Sequence, residues 1–121
     1  MTLRLKEYGQ FIEGYFRAAL WSSTDDDGQP LDNVFSVADI TDSTQKKMVQ
    51  DCQKFADKNY NMIMDDLYQA GIDFWLTRNH HGAGFWDGDW PEPNATKLTD
   101  AAHRFGAFNL WVGEDAKIYG D

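Results

Sequence analysis

Apolar side chains recur at helical spacing near the start of the chain. Between residues 3 and 21 they follow one another at intervals of three and four, which places them on one face of an α-helix. The stripe consists of Tyr8, Phe11, Ile12, Tyr15, Phe16, Ala19 and Leu20. Gly9 and Gly14 each weaken a helix by about 1 kcal/mol relative to alanine. We predict a helix over residues 3–21, in which either glycine is a candidate for close approach by another element.

A second helical stripe follows a polar connection. Residues 22–42 are rich in aspartate and serine and include Gly28 and Pro30, all residues typical of turns, and they predict an irregular segment. Over residues 43–70 the apolar positions are Met48, Cys52, Phe55, Met62, Ile63, Leu67 and Ala70. Thr41, Asp42 and Ser43 are candidate N-caps. This pattern predicts a long second helix that stops at Gly71, with a break favoured near Asn59.

Shorter patterns in the rest of the chain favour strands. The predicted elements are a strand at 72–77, a turn at 78–82, a returning strand at 83–86, an exposed loop at 88–94, a short helix at 96–105 that ends at Gly106, and a final hairpin with strands at 108–112 and 117–119. The predicted fold class is α+β. Two longer helices pack on a small, mostly antiparallel four-stranded sheet, and a third short helix completes the domain.

Size and composition agree with one packed domain over residues 1–121. The 121 residues are 42% hydrophobic and 15% aromatic, which is too apolar for a disordered chain. The first ten residues lack the apolar run of a signal peptide, and no later stretch resembles a membrane span. The single cysteine, Cys52, rules out an internal disulfide and fits a reducing cytosol. We therefore expect a cytoplasmic protein without membrane attachment.

The charge balance limits the choice of partner. Twenty acidic residues face eleven basic ones, which gives a formal net charge of −9. Such a surface repels phosphates, so it argues against direct nucleic-acid binding. It favours a basic protein surface, or a protein groove that normally holds nucleic acid. The charge could also serve solubility alone.

An acidic loop is the first candidate site. Asp25, Asp26 and Asp27 precede Gly28 and Asp32 follows it, and clustered carboxylates beside a glycine are typical of calcium loops. The EF-hand pattern fails, however, because Val34 stands where a bidentate glutamate is required. Three interpretations stay open for this loop: a solvated turn, a loose cation site, and a contact with a basic partner.

Histidines and carboxylates between residues 73 and 89 form the second candidate. His81 and Asp87 could ligate a divalent metal, and His103 could join them if folding brings it close. His80 and His81 are adjacent at a predicted turn, where neighbouring side chains usually point apart. Their spacing matches no established catalytic motif. We therefore assign no catalytic residue and no cofactor, and keep His81, Asp87 and His103 as the candidates for a metal site.

Aromatic residues form the third candidate. Trp75, Phe85, Trp86 and Trp90 are crowded into the predicted hairpin and the loop that follows it, where most should belong to the core. Trp90 is expected to be partly exposed. Tryptophan and arginine often dominate the energetics of protein interfaces. The predicted interface residues are Arg78, His81, Trp86, Trp90, Asp25, Asp26 and Asp27.

Three blocks of the sequence resemble a known family. The blocks are WSSTDDDGQPLD at residues 21–32, DFWLTRNHHGAGFWD at 73–87 and LTDAAHRFGAFNLWVGEDAKIYG at 98–120. They are similar to blocks in a family of small uncharacterised proteins encoded by tailed bacteriophages and prophages. The usual form of the second block has glycine where this chain has His80, whereas His81, Gly82, Gly84 and Asp87 fit. The resemblance implies a biological setting rather than a mechanism.

That setting favours a binding function. Small acidic phage proteins, among them anti-restriction and anti-CRISPR proteins, often act by binding a host protein, an analogy of size, charge and origin. We expect a phage-encoded accessory protein that binds and modulates or inhibits a host protein, for example a defence or nucleic-acid enzyme, in the cytoplasm of the bacterial host. The alternatives are a small metal-dependent hydrolase and a single-stranded nucleic-acid-binding protein that uses Arg78, Arg104 and the aromatic residues. An aromatic edge could also pair two copies into a homodimer.

Overall fold

Four α-helices and one two-stranded sheet make up most of the regular structure. The computed structural model describes residues 5–121, with side chains from Tyr8 onward. The elements are α1 (Leu5–Ser22), α2 (Asp42–Ile63), α3 (Leu67–Arg78), α4 (Asn94–Arg104), β1 (Leu110–Val112) and β2 (Ile118–Gly120). Two short 3₁₀ turns, Leu31–Asn33 and Val37–Asp39, lie in the connection between α1 and α2. Residues 3 and 4 of the predicted first helix lie outside the described residues.

Two glycines bring α1 and α3 into backbone contact. A Cβ atom at Gly14 would overlap the carbonyl oxygen of Tyr68, and one at Gly71 would overlap that of Phe11. The prediction of close approach is therefore confirmed at Gly14. A Cβ atom at Gly9 would meet open space. The prediction that Gly71 stops a helix is wrong, since Gly71 lies inside α3. Its missing side chain lets α3 lie against α1.

The predicted four-stranded sheet is wrong. Residues 72–77 belong to α3, residues 83–86 form no strand, and β1 and β2 are the only strands among the described residues. The buried residues of α3 are Leu67, Ala70, Gly71, Asp73, Phe74, Trp75, Leu76, Thr77 and Arg78. In a helix that is covered on nearly all sides, apolar residues no longer recur with the period of 3.6 by which a helix is recognised in a sequence. Its apolar run therefore resembles a buried strand.

The predicted second helix is two helices. α2 ends at Ile63, and Asp66 caps the start of α3 by accepting a hydrogen bond from the backbone N–H of Gln69 at 3.1 Å. The predicted break near Asn59 is confirmed as a kink, since this residue has φ −117° and ψ 15° within α2. The N-cap prediction is confirmed at Thr41, whose hydroxyl accepts from the backbone N–H of Thr44.

The last two predicted elements are confirmed with shifted ends. The short helix at 96–105 corresponds to α4, and the final hairpin corresponds to β1 and β2, which pair antiparallel with Trp111 opposite Tyr119. The hairpin is attached to α2 through β2. The N–H of Thr41 donates to the carbonyl oxygen of Ile118 at 2.9 Å, and the N–H of Gly120 donates to the hydroxyl of Thr44 at 3.2 Å.

The core between the helices is aromatic. Phe55 of α2 stacks on Phe74 of α3 with ring centroids 4.2 Å apart, and Phe11 and Phe85 pack on the same cluster. Cys52 is also fully buried, and burial raises the pKa of its thiol, which disfavours the reactive thiolate. None of the helices in residues 5–121 combines the length and the apolar character that a membrane crossing requires.

Candidate functional site

The segment between α3 and α4 folds back over α3 although it has no regular structure. The backbone N–H of Phe85 donates to the Thr77 hydroxyl at 3.1 Å, which fixes the middle of the segment. Farther along, the indole N–H of Trp90 donates to the Asp73 carboxylate at 2.7 Å. The other oxygen of Asp73 accepts from the Gln69 amide at 3.2 Å. The segment is therefore held in place by side chains of the helix that it covers.

Trp90 is buried, contrary to the prediction of partial exposure. Its relative exposure is 9%, and its ring meets Phe85 edge-on with centroids 5.6 Å apart. Asp73 gives the reason. A carboxylate on a buried helix face needs hydrogen-bond donors, and the tryptophan indole brings one together with a large apolar ring.

The environment of Asp73 changes its acidity. Burial raises the pKa of this carboxyl to about 6, and the nearby charges of Asp87 and Asp89 act in the same direction. The hydrogen bonds from Trp90 and Gln69 lower the pKa but do not offset the burial. A carboxyl with these partners is a structural anchor, since neutral donors rather than a cation satisfy it.

A cleft of about 420 Å³ lies beside this anchor, between the α2–α3 turn and the start of α4. Its polar lining consists of the carboxylates of Asp65, Asp66 and Asp89 and the amides of Asn61, Gln69 and Asn94. Trp90, Met62 and Pro91 supply apolar wall, and no lysine, arginine or histidine lines the cleft. We call this feature the acidic cleft.

The acidic cleft is suited to a cationic group. Ionised carboxylates only accept hydrogen bonds, and charge-assisted bonds to ammonium or guanidinium groups are stronger than neutral ones. The Asp66 carboxylate is already engaged as the N-cap of α3. Asp65 and Asp89 are exposed and make no hydrogen bond or ion pair among the described residues, so their charges remain available to a ligand.

Arg78 has a structural role in the core. Its guanidinium is 2% exposed and donates to the Asp51 carboxylate at 2.9 Å, the Tyr15 hydroxyl at 3.0 Å and the carbonyl oxygens of Phe105 and Gly106. It also lies within 6 Å of three phenylalanine ring centroids. Arg78 thus ties α3 to α1, α2 and the end of α4, and its charged group does not belong to the surface. Sequence reading missed this role because every partner is distant along the chain.

The predicted metal candidates do not form a cluster. Within residues 5–121, no three histidine, cysteine, aspartate or glutamate side chains lie close enough together to hold a metal ion. His103 approaches His80 rather than His81, with ring centroids 4.6 Å apart. His80 has φ +57°, a left-handed backbone that favours glycine.

The acidic loop is internally hydrogen-bonded. The carboxylate of Asp25 accepts from the backbone N–H groups of Asp27 and Gln29 at 2.9 and 3.0 Å. Gly28 has φ +79°, which explains the glycine. Asp26 and Asp27 are exposed. The loop therefore presents two carboxylates to solvent, while its third shapes the turn.

Of the predicted interface tryptophans, only Trp86 is exposed, at 53%. It lies in the same segment as Asp89 of the acidic cleft. Trp111, on β1, is 45% exposed and was not predicted as an interface residue. Searches with protein-family models, among curated proteins and among solved structures find no match to this chain.

Proposed function

We propose that this chain is a phage-encoded accessory protein that binds a basic surface of a host protein and modulates that protein. The observation that carries the proposal is the acidic cleft, in which Asp65 and Asp89 face a concave space without any basic side chain in its lining. A lysine or arginine of the partner would occupy the cleft. The phage origin rests on the sequence blocks of the resemblance.

The rest of the surface supports the same proposal. A net charge of −9 accelerates association with a basic partner through long-range attraction. Trp86 adds an exposed aromatic ring in the segment that forms one wall of the cleft, and such residues often contribute strongly to binding. Asp26 and Asp27 extend the negative surface elsewhere on the molecule.

A charge-matched pair of variants tests the proposal. In Asp65→Asn/Asp89→Asn the cleft loses two charges, and in Asp42→Asn/Asp100→Asn the exposed surface outside the cleft loses two. Wild type and both variants are immobilised and exposed to bacterial lysate at low salt, and captured proteins are identified by mass spectrometry. The captured partner is then purified, and its Kd for each form is measured by calorimetry.

We expect the cleft variant to bind the partner at least tenfold more weakly than the surface variant, because each lost contact with a cation costs about 1.4 kcal/mol or more. Equal affinities for the two variants would overturn the role of the cleft. If the wild type captures no partner, the binding function itself is wrong.

Neither alternative function has an observation in its favour. The single-stranded nucleic-acid-binding hypothesis requires Arg78 at the surface, but the guanidinium of Arg78 is buried and paired with Asp51. A metal-dependent hydrolase loses its predicted ligand set, because His103 lies against His80 and no three-ligand group is present in residues 5–121.

A further inference from the structure

Strand β1 has a backbone edge without partners. Asn109 and Asp121 exchange two hydrogen bonds, and the N–H of Gly113 donates to the carbonyl oxygen of Lys117. In an antiparallel ladder such pairs alternate with pairs that make no bonds, so the polar groups of Leu110 and Val112 point away from β2. Within residues 5–121, no hydrogen bond to these outward groups is present.

The opposite edge of the hairpin is covered. β2 directs the corresponding groups of Ile118 and Gly120 toward the start of α2, where Thr41 and Thr44 bind them. The hairpin is thus closed on one side by its own chain and open on the other. An open edge is a template for another strand, and proteins usually protect it.

A groove of about 350 Å³ runs beside the open edge. Its lining includes residues 22–24, residues 107–110, Asn79 and His81. Because Leu110 belongs both to this lining and to the open edge, an extended chain that pairs with β1 would have the groove within reach. Trp111 offers an exposed ring on the same strand, next to the half-buried Tyr119.

The charges around this edge favour a basic occupant. No lysine or arginine lines the groove. Residues 22–24 of the lining lead directly into the acidic loop, where Asp26 and Asp27 are exposed. Asn109, which also belongs to the lining, is paired with Asp121. A second copy of the chain would bring another nine negative charges to this edge, which disfavours self-pairing.

We propose that an extended, basic segment of the partner protein adds to the open edge of β1 as a third strand, with its backbone hydrogen-bonded to Leu110 and Val112. Backbone pairing supplies affinity in this mode, and alternate side chains supply specificity. The alternate side chains of the segment face Trp111 on one side of the hairpin and the groove on the other. This inference rests on the proposed binding function and adds a second contact to the acidic cleft.

Amide hydrogen exchange tests the pairing directly. The probe is a synthetic capped peptide of four Lys-Val repeats, and the controls are four Glu-Val repeats and a Lys-Val peptide in which alternate amides are N-methylated. Exchange of each amide of the ¹⁵N-labelled protein is followed by NMR at low salt. With the Lys-Val peptide at saturation we expect at least tenfold slower exchange at Leu110 and Val112, and no slowing with either control.

A variant provides the second readout. Val112→Pro removes an outward N–H group without removing a bond of the β1–β2 ladder, and Val112→Thr keeps that group. We expect the proline variant to bind the Lys-Val peptide at least tenfold more weakly than the threonine variant, with the hairpin signals of the NMR spectrum preserved. The wild-type exchange measurement decides the question if the proline variant does not fold.

Several results would overturn this inference. Absence of peptide binding would do so, as would binding without slower exchange at Leu110 and Val112. Slower exchange in the free protein that depends on protein concentration would identify a second copy as the occupant. If the captured host partner binds Val112→Pro and Val112→Thr equally but loses affinity for the acidic-cleft variant, the edge proposal fails while the proposed function stands.

Discussion

Two buried ionisable residues on α3 illustrate how a side chain's partners decide its role. Arg78 is surrounded by acceptors, among them the Asp51 carboxylate, and its hydrogen bonds hold four parts of the chain together. Asp73 has only neutral donors, from Trp90 and Gln69, so its charge is less well compensated. Arg78 therefore stabilises the core through its hydrogen bonds and ion pair, whereas Asp73 takes up a proton more readily than an exposed carboxylate does.

The raised pKa of Asp73 predicts a pH dependence of stability. The carboxyl has a pKa of about 6 in the folded protein, against about 3.9 in an unfolded chain. The folded state therefore binds the proton more tightly. The contribution of Asp73 is most favourable below about pH 4 and is lost as the pH rises through about 6.

Asp73→Asn removes this titration and keeps an oxygen acceptor for Trp90. Urea unfolding of both forms between pH 4 and pH 7.5 measures the effect. The difference between their unfolding free energies removes the pH dependence that comes from all other titratable groups. We expect the unfolding free energy of wild type to decline relative to the variant as the pH rises. A difference that stays constant across this range would contradict the assigned pKa.

Replacing Arg78 should be costly. Arg78→Met leaves the Asp51 carboxylate, the Tyr15 hydroxyl and two carbonyl oxygens without their donor. We expect the free energy of unfolding to fall by about 3–5 kcal/mol. Arg104→Met, at an exposed position of α4, is the control and should change stability by less than about 0.5 kcal/mol. Urea titration at 25 °C compares them, and similar losses for the two variants would show that the guanidinium has no special role.

At the scale of elements, α3 organises the molecule. It packs on α1 through glycines, carries the anchors Asp73 and Arg78, and begins with a cap, Asp66, that also lines the acidic cleft. The segment that follows it is irregular, yet Phe85 and Trp90 are buried against the helix. The cleft is therefore lined in part by the start of α3, and Trp90 in its wall is fixed to α3 by a hydrogen bond to Asp73.

The contact between α1 and α3 predicts opposite effects at two glycines of one helix. Gly14→Ala places a methyl group against the backbone of Tyr68, and we expect a loss of about 1–3 kcal/mol of unfolding free energy. Gly9→Ala meets open space, and we expect a gain of about 1 kcal/mol from helix propensity. Thermal and urea unfolding measure both. Destabilisation by Gly9→Ala, or tolerance of Gly14→Ala, would contradict this packing.

At the scale of the whole molecule, negative charge and local shape have separate roles. The charge of −9 is a property of composition and gives long-range attraction to any basic surface. In the proposed binding function, the acidic cleft and the open edge of β1 would each make specific contacts. Because these places use different chemistry, carboxylates in one and backbone groups in the other, the charge-matched and proline variants test them independently.

The sequence by itself determined the elements whose pattern is local. The amphipathic stripe of α1, the cap at Thr41, the helix before Gly106 and the hairpin around Gly113 all follow from neighbours in the chain. Of the candidate site, the sequence identified the general acidity and named Trp86 as an interface candidate, but it assigned exposure to Trp90, which is buried. It did not identify the cleft, because Asp65 and Asp89 are brought together only by folding.

Only the tertiary structure decided the state of residues 72–77 and the roles of Asp73, Arg78 and Trp90. A run that is buried on nearly all sides carries no clear hydrophobic period, so the sequence does not distinguish a helix from a strand until the neighbours of the run are known. The helix is selected because Gly71 and Gly14 let two backbones touch and because Asp73 and Arg78 then find buried partners. These partners are distant in sequence, and contacts of that kind leave no local pattern from which they can be predicted.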